Sequence, residues 1–229
     1  MREQYRTEAK YLLRWTDYYV LREILKHVLR RDSNASENGD YTIRSIYFDS
    51  YDNYSFTQKM DGVLERRKIR IRTYGSKVSD YVKLEIKNKW NAGVYKETVN
   101  IRKEQAQELL KGNAEERLEY KNEMANKMYL MFQRSALLPV TAIDYEREAY
   151  ILPFDQIRIT FDKNLRCSAD HLRQLEADRV FYPVLDRKYM ILEVKYNHFL
   201  PDFIKRILGT VPGECLSVSK YCLSRQLLV

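Results

Sequence analysis

Residues 4–13, QYRTEAKYLL, alternate with period two: Arg6, Glu8 and Lys10 fall on one side and Tyr5, Thr7, Ala9 and Tyr11 on the other, the pattern of a strand. Thr16 or Asp17 is placed to cap a following helix whose apolar positions are Val20, Ile24, Val28 and Leu29, and the polar stretch from Asp32 to Asp40 ends it. A second strand, YTIRSIYF, begins at Tyr41, and a short helix is expected near 52–60. Residues 65–74 (ERRKIRIRTY) and 81–89 (YVKLEIKNK) alternate again across a turn at Gly75 and predict a hairpin. The run 94–101 (VYKETVNI), turned at Asn91 to Gly93, adds a third strand to that meander. Residues 103–136 read as helix, and 139–150, 156–163 and 189–196 as strands, which brings the strand count to eight. Two short helices around Gly209 to Gly213 close the chain over 201–228. Short turns between successive strands argue for antiparallel pairing over βαβ units, and with no repeat or Ser/Pro-rich linker, one domain over 1–229 is the simplest account.

Composition narrows the chemistry. The 229 residues are 45% hydrophobic and 31% charged, a globular balance with ample material for a core. The 7 glycines never come close enough for a G-x-G-x-x-G or Walker loop, so any phosphate must be held by side chains. His27, His171 and His198 lie far apart, and Cys167, Cys215 and Cys222 form no C-x-x-C pair, which argues against zinc. Three cysteines, no cleavable apolar N-terminal segment and no long apolar run lead to the expectation of a soluble, cytoplasmic protein. The 19 tyrosines stand in no RNP-like motif, so no nucleic-acid partner is expected and core packing accounts for most of them.

Charge then changes the picture. One face of seven strands carries Arg6, Lys10, Arg66, Lys68, Arg70, Arg72, Lys83, Lys87, Lys89, Lys96, Arg147, Arg158 and Lys195, with Glu8, Glu85, Asp162 and Glu193 among them. These thirteen cations and four carboxylates hold a net +9, whereas the whole chain holds +8, so the basic excess resides on this one set of positions. The opposite faces present Ile69, Ile71, Val82, Leu84, Ile86, Ile157, Ile159, Phe161, Met190, Leu192 and Val194 for burial. An ordinary solvated face would mix its polar residues, whereas four successive outward positions of one strand here are all cationic. Two like charges 4 Å apart cost about 4 kcal/mol at an effective dielectric near 20. A bound polyanion or metal-bound anion relieves that crowding, and a barrel with a polar lumen converges many strands on one anion while removing exposed edges.

The runs RTEAKY, IRSIYFDS, RKIRIRTYG, KLEIKNK, DYEREAY, IRITFDKNL, ILEVKY and SVSKYCL, in that order over about residues 4–225, resemble the catalytic domain of the vacuolar transporter chaperone (VTC) polyphosphate polymerases, in the triphosphate tunnel metalloenzyme superfamily. The resemblance implies an α+β fold: an eight-stranded antiparallel β tunnel barrel with a polar, basic lumen and helices packed outside. It also implies a lumen that grips triphosphate or polyphosphate, with Mn²⁺ or Mg²⁺ held by a glutamate. Carried over by position, Lys10 matches the lysine of the first strand, Arg70 and Arg72 the R-x-R, Lys87 the lysine of E-x-K, and Lys96 its neighbour after the turn. Tyr145 and Arg147 match Y-x-R, Arg158 the arginine before D-x-x-L, Glu193 and Lys195 the L-E-V-K run, and Ser219 and Lys220 the S-K pair that opens the last helix. Glu193 is the expected metal ligand and Glu8 a possible second one.

Two departures matter. The superfamily's E-x-E-x-K start reads Arg6-x-Glu8-x-Lys10 here, and Ser217 stands where eukaryotic polymerases tend to carry a second lysine. Losing one carboxylate leans toward the polymerases, while the retained Glu8 is closer to the hydrolases. Phosphoryl transfer asks the protein mainly to position phosphates and neutralise charge on their oxygens; arginines offer planar forks for this and lysines point charges. Taken singly, each cation is equally a surface charge or salt-bridge member, and Glu193 equally a partner of Lys10 or Lys195. Tyr47 and Asp49 read as packing and a turn cap. The functions in play are a polyphosphate polymerase using ATP or another nucleoside triphosphate, a metal-dependent triphosphatase, and a polyanion-binding module, the last with a membrane-protein partner in trans.

Overall fold

The computed structural model describes residues 6–33, 39–75, 78–91, 93–114, 122–170, 175 and 180–228. Among them the chain runs β1 (Thr7–Arg14), α1 (Trp15–Val28), β2 (Arg30–Arg31), β3 (Asp40–Asp49), α2 (Tyr54–Met60), β4 (Arg66–Tyr74), β5 (Tyr81–Trp90) and β6 (Gly93–Arg102). It continues through α3 (Lys103–Leu110), α4 (Glu123–Ser135), β7 (Leu138–Leu152), β8 (Ile157–Ser168), β9 (Tyr182–Pro183), β10 (Tyr189–Tyr196), α5 (Asp202–Leu208), β11 (Glu214–Cys215) and α6 (Lys220–Leu228). All strands join one antiparallel sheet in the order β11, β1, β10, β8, β7, β3, β4, β5, β6, with β2 on β7 and β9 on β8. The count is therefore eleven against the expected eight; the eight long strands fall where the alternation lies, and β2, β9 and β11 are two-residue additions too short to leave a periodic signal. Among the described residues no continuous ladder closes the sheet. Its β1 and β6 ends meet in one bridge, where Arg6 and Val94 exchange N–H to carbonyl hydrogen bonds of 3.1 Å.

Register sorts the two faces. Pairing Arg70 with Tyr47 and Glu85, Arg147 with Asp162, and Lys10 with Glu193 puts the polar set on the concave side. The convex side of β3 to β6 buries Ile46, Phe48, Ile69, Ile71, Leu84 and Ile86 against α3 (Ala106, Leu109, Leu110) and α4 (Ala125, Met128, Phe132). The convex side of β1, β10 and β8 buries Leu192, Val194, Ile159 and Phe161 against α1 and α5. Each such side chain contributes about 1.5–3 kcal/mol through burial, and these two cores set the curvature that brings the polar faces toward one another.

Four expectations need correction. In α1 the buried stripe is Tyr18, Leu21, Leu25 and then Leu29, whereas Val20 and Val28 are exposed. Both stripes have helical spacing, and the one containing Tyr18 faces inward because the Tyr18 hydroxyl donates to buried Glu148 at 2.6 Å. The N-cap of α1 is Arg14, and Asp17 accepts the Arg14 N–H at 3.4 Å from the first turn. The helix expected over 103–136 is two helices: Gly112, at φ +84°, follows the end of α3, and the Asn122 side chain caps α4 by accepting from Met124 and Ala125 N–H. Residues 115–121 of that run, like Gln4, Tyr5 and Ala92 of other expected elements, lie outside the described residues. Finally, α6 packs on the concave side, where Tyr221 stacks on Tyr47 with ring centroids 5.2 Å apart and Cys222 joins Ile43, Ile143 and Ile191. Its sequence bears no mark of which side it covers.

Glu148 ties α1 to the sheet, accepting from the Tyr18 and Tyr150 hydroxyls at 2.6 Å and from Arg22 Nε at 3.0 Å. Removing it strands these donors and the nearby Lys163 ammonium, so Glu148→Ala should lower unfolding free energy in urea by about 3–5 kcal/mol. Glu148→Gln, which still accepts hydrogen bonds, should lose clearly less.

Candidate functional site

The concave face encloses a cavity of about 170 Å³ whose lining includes Lys10, Lys59, Arg66, Lys68, Arg70, Arg72, Lys87, Lys89, Arg147, Lys195 and Lys220. Against those eleven cations the lining supplies two carboxylates, Glu8 and Glu193, with Tyr47, Tyr145 and Ser217 to Ser219 completing the polar wall. Period-two alternation accounts for the placement: Arg66, Lys68, Arg70 and Arg72 follow one another on the same side of β4, and Glu8 and Lys10 stand directly across from Lys195 and Glu193.

Buried carboxylates fix the cations. Glu85, 0% exposed, accepts from Arg70 Nε at 2.8 Å and Lys96 Nζ at 2.7 Å, with Arg72 3.9 Å away. Burial pushes its pKa up, but Arg70, Arg72 and Lys96 outweigh this and hold it far below the usual range. Asp162, also 0% exposed, takes Arg147 through two hydrogen bonds of 2.6 and 2.8 Å and Lys220 at 2.6 Å. Against burial, Arg147 and Lys220 bring Asp162 down to about 2. Such two-point pairing orients the guanidinium plane before any ligand arrives.

Glu8 and Glu193 form the third group. Lys195 lies 3.3 Å from Glu193 and 3.8 Å from Glu8, Arg147 lies 3.5 Å from Glu193, and Lys87 bonds Glu8 across the seam between β1 and β6. Burial opposes ionisation of Glu8, yet Lys87 and Lys195 hold it at about 2. Glu193 behaves alike, with Lys195, Lys220, Lys10 and Lys87 overcoming burial and keeping it well below the ordinary value. The cations respond in reverse: burial first, then crowding by Lys87, lowers Lys10 to about 8, and burial lowers Lys195 to about 7 and Lys68 to about 8. Lys220 moves the other way, because Asp162 and Glu193 outweigh its burial. Tyr47 falls to about 8, since Arg70 and Arg72 override the upward push of burial.

Three lysines reach neutral acceptors on the segment that crosses the cavity before α6. Lys10 Nζ donates to the Val218 carbonyl at 2.9 Å, Lys59 Nζ to Ser217 Oγ at 2.8 Å and Lys68 Nζ to Ser219 Oγ at 2.6 Å. Ser219 Oγ also accepts the Cys222 N–H at 3.3 Å, which makes it the cap of α6 and sets Lys220 at the first turn, facing Asp162.

Of the residues singled out by sequence, Lys10, Arg70, Arg72, Lys87, Tyr145, Arg147, Lys195, Ser219, Lys220, Glu8 and Glu193 share this lining. Lys96 stands behind it on Glu85, and the Arg158 guanidinium turns to Asp32 and the Tyr41 hydroxyl. Alternation flags Arg66, Lys68 and Lys89 as members of the cationic face but cannot say that they reach the same cavity. Tyr47, read as packing, lines it, with its hydroxyl 3.0 Å from Arg70. Lys59 comes from α2, outside the alternating strands, and only the fold brings it in. Among the described residues no cluster of three or more His, Cys, Asp or Glu gathers to hold a metal. Two oxygen donors, Glu8 and Glu193, do meet in one cavity, a donor set that suits a hard divalent ion sharing its remaining positions with water and phosphate oxygens.

No curated protein matches the chain at significance. Among solved structures, the fold is similar to a candidate adenylate cyclase from Bacillus halodurans, with TM-score 0.52 and 15% identity over 93% of this chain and 96% of that one. It is similar to the PH1819 protein of Pyrococcus horikoshii OT3, with TM-score 0.51 and 16% identity over 97% and 99% of the two chains. It is similar also to HpAC1 from Hippeastrum, a candidate adenylyl cyclase described as having a dominant triphosphatase activity, with TM-score 0.53 and 12% identity over 97% and 95%. At these identities the likeness is one of fold. The VTC domain profile matches residues 5–229, and with this coverage and the cationic cavity in place the chain belongs to the VTC domain family.

Proposed function

We propose that the chain, as a single domain whose eight long strands act as a tunnel barrel, binds polyphosphate in the cationic cavity and extends it with the terminal phosphoryl group of ATP or another nucleoside triphosphate. The observation that carries this reading is a lining of eleven cations against two carboxylates, in a chain that matches the VTC family along nearly its whole length. In the transfer, a terminal oxygen of the bound chain attacks the γ-phosphorus, the bond from that phosphorus to the β-bridging oxygen breaks, and the nucleoside diphosphate departs with the electron pair. Arg70, Arg72 and Arg147, pre-oriented by Glu85 and Asp162, serve the equatorial oxygens of the moving group, and Lys10, Lys87, Lys195 and Lys220 hold the flanking phosphates. Tyr145, whose hydroxyl is 3.1 Å from Arg72 Nη2, positions that arginine, and Ser219 sets the start of α6. A Mn²⁺ or Mg²⁺ ion bound by Glu193, with Glu8 assisting, would neutralise phosphate charge and orient the leaving group.

A second reading, hydrolysis of triphosphate, draws support from the presence of both Glu8 and Glu193 in the lining, since two carboxylates can hold a metal and order a water. Against it, Arg6 occupies the position of the other first-strand carboxylate and lies 3.8 Å from Glu8, adding positive charge where an anionic acceptor would approach. In the polymerase reading, ATP with Mn²⁺ yields acid-labile polymer and an equal amount of ADP. Lys220→Ala, which leaves Asp162 paired to Arg147, should slow this by about a hundredfold. Free phosphate without polymer would instead establish the hydrolase.

Glu193→Gln separates metal from anion binding. Metal-stimulated turnover should disappear while calorimetric affinity for tripolyphosphate without metal is kept or improved, because the cationic wall remains. An unchanged response to Mn²⁺ would remove Glu193 as a ligand.

The depressed lysines predict opposite pH trends for ligand and fold. Between about pH 6.5 and about pH 9 the ligand-free cavity loses charge at Lys195, near 7, and at Lys10 and Lys68, near 8, so tripolyphosphate should bind more weakly and raise the melting temperature less. Their folded values lie below the ordinary 10.5, so the unfolded chain keeps protons that the fold sheds, and their contribution to stability rises from about pH 7 toward 10.5. Melting curves with and without tripolyphosphate across this range, at fixed low salt, check both signs.

A further inference from the structure

A second concavity, a groove of about 960 Å³, lies on the outer side of the sheet where β4 and β5 meet the turn after β3 and the end of α4. Its lining includes Tyr51, Tyr54 and Trp90, which are 92%, 58% and 51% exposed. None of the three rings contacts another aromatic ring among the described residues, and each residue keeps more than half of its surface exposed. Exposed aromatic faces gathered in one groove of this size are poorly explained by packing, and flat π-systems are their natural complement.

The groove is continuous with the cationic cavity. Arg66 and Lys89 line both, and they are direct cross-strand partners, the first residue of β4 opposite the penultimate one of β5. Arg66 donates to the Val63 carbonyl, and neither residue forms a salt bridge with a described carboxylate. Two like charges facing each other across a ladder repel unless an anion sits between them. A molecule that satisfies the three rings and the Arg66 and Lys89 rim together carries an aromatic ring at one end and a string of phosphates at the other.

We propose that the groove is a nucleoside subsite: the base of a nucleoside triphosphate stacks on Trp90 and the neighbouring tyrosines, and its phosphates pass over the Arg66 and Lys89 rim into the cavity. The proposal rests on reading that cavity as a triphosphate site. Stacking of this kind tolerates different bases, because each has a π-face, so the subsite favours nucleotides over inorganic triphosphate without selecting strongly among them.

The chain has two tryptophans, so Trp90 can be observed alone in a Trp15→Phe variant. ATP should quench Trp90 fluorescence and tripolyphosphate should leave it nearly unchanged. Trp90→Ala and, separately, Tyr51→Ala should each weaken ATP binding by about tenfold in calorimetry with tripolyphosphate affinity unaltered. Both side chains are exposed, and matching melting temperatures verify that the variants fold. Equal ATP affinity in wild type and both variants overturns the proposal. A parallel loss for ATP and tripolyphosphate overturns it as well, since the aromatic residues would then be acting on the phosphate site. Failure of wild-type protein to bind tripolyphosphate defeats the cavity reading itself, and the subsite with it.

Discussion

Buried carboxylates hold the concave face of this sheet together. Without Glu85 and Asp162, the arginines of β4 and β7 would face one another across a space too small to dilute their charge. Desolvating ions on this scale is costly, and neither acid offsets it with one partner: Glu85 serves Arg70 and Lys96 with Arg72 nearby, and Asp162 serves Arg147 and Lys220. The convex cores supply the burial that makes the arrangement tolerable, and the cavity takes its geometry from the acids behind it. Stability and anion binding are thus opposed in the same residues, because Lys10 and Lys195, two of the lysines that a phosphate would use, are held by the fold at depressed pKa.

Strands were the most legible part of the chain because alternation is a local signal. The run from Arg66 to Arg72 shows both its buried and its charged side in seven residues. Pairing order was not legible: that β10 inserts between β1 and β8 depends on pairings such as that of Lys10 with Glu193, which stand 183 positions apart. Helices were harder. Tyr18 and Val20 begin stripes that both have helical spacing, and partners distant in sequence, Glu148 on β7 and Phe161 on β8, favour the first. The side of the sheet that α6 covers was equally hidden, since Tyr221 and Cys222 would suit either core.

The candidate site divides in the same way. Residues carried on alternating strands, such as Lys10, Arg70, Arg72, Arg147 and Lys195, could be assigned to one face before any fold was known. Lys59 could not, because it arrives on a helix and meets Ser217 across 158 positions of sequence. Arg158 shows the converse: its strand parity is that of the cationic face, yet Asp32 and Tyr41 draw its guanidinium away from the cavity. Parity assigns a side of the sheet, and local partners decide where along it the charge is placed.

The seam between β1 and β6 bears on how rigid the enclosure is. Neighbouring long strands elsewhere in the sheet share ladders of five to ten paired positions, but here, among the described residues, two backbone hydrogen bonds at Arg6 and Val94 and the Glu8 to Lys87 ion pair do the joining. Backbone hydrogen bonds contribute about 1 kcal/mol each, so among the described residues this line of the wall is held by the fewest backbone ties. Glu8 and Lys87 are also lining groups, and an occupant that engages either one competes with the tie across the gap. The enclosure therefore behaves less as a fixed pipe than as a cuff, fastened by a clasp made of the same side chains that grip what it surrounds.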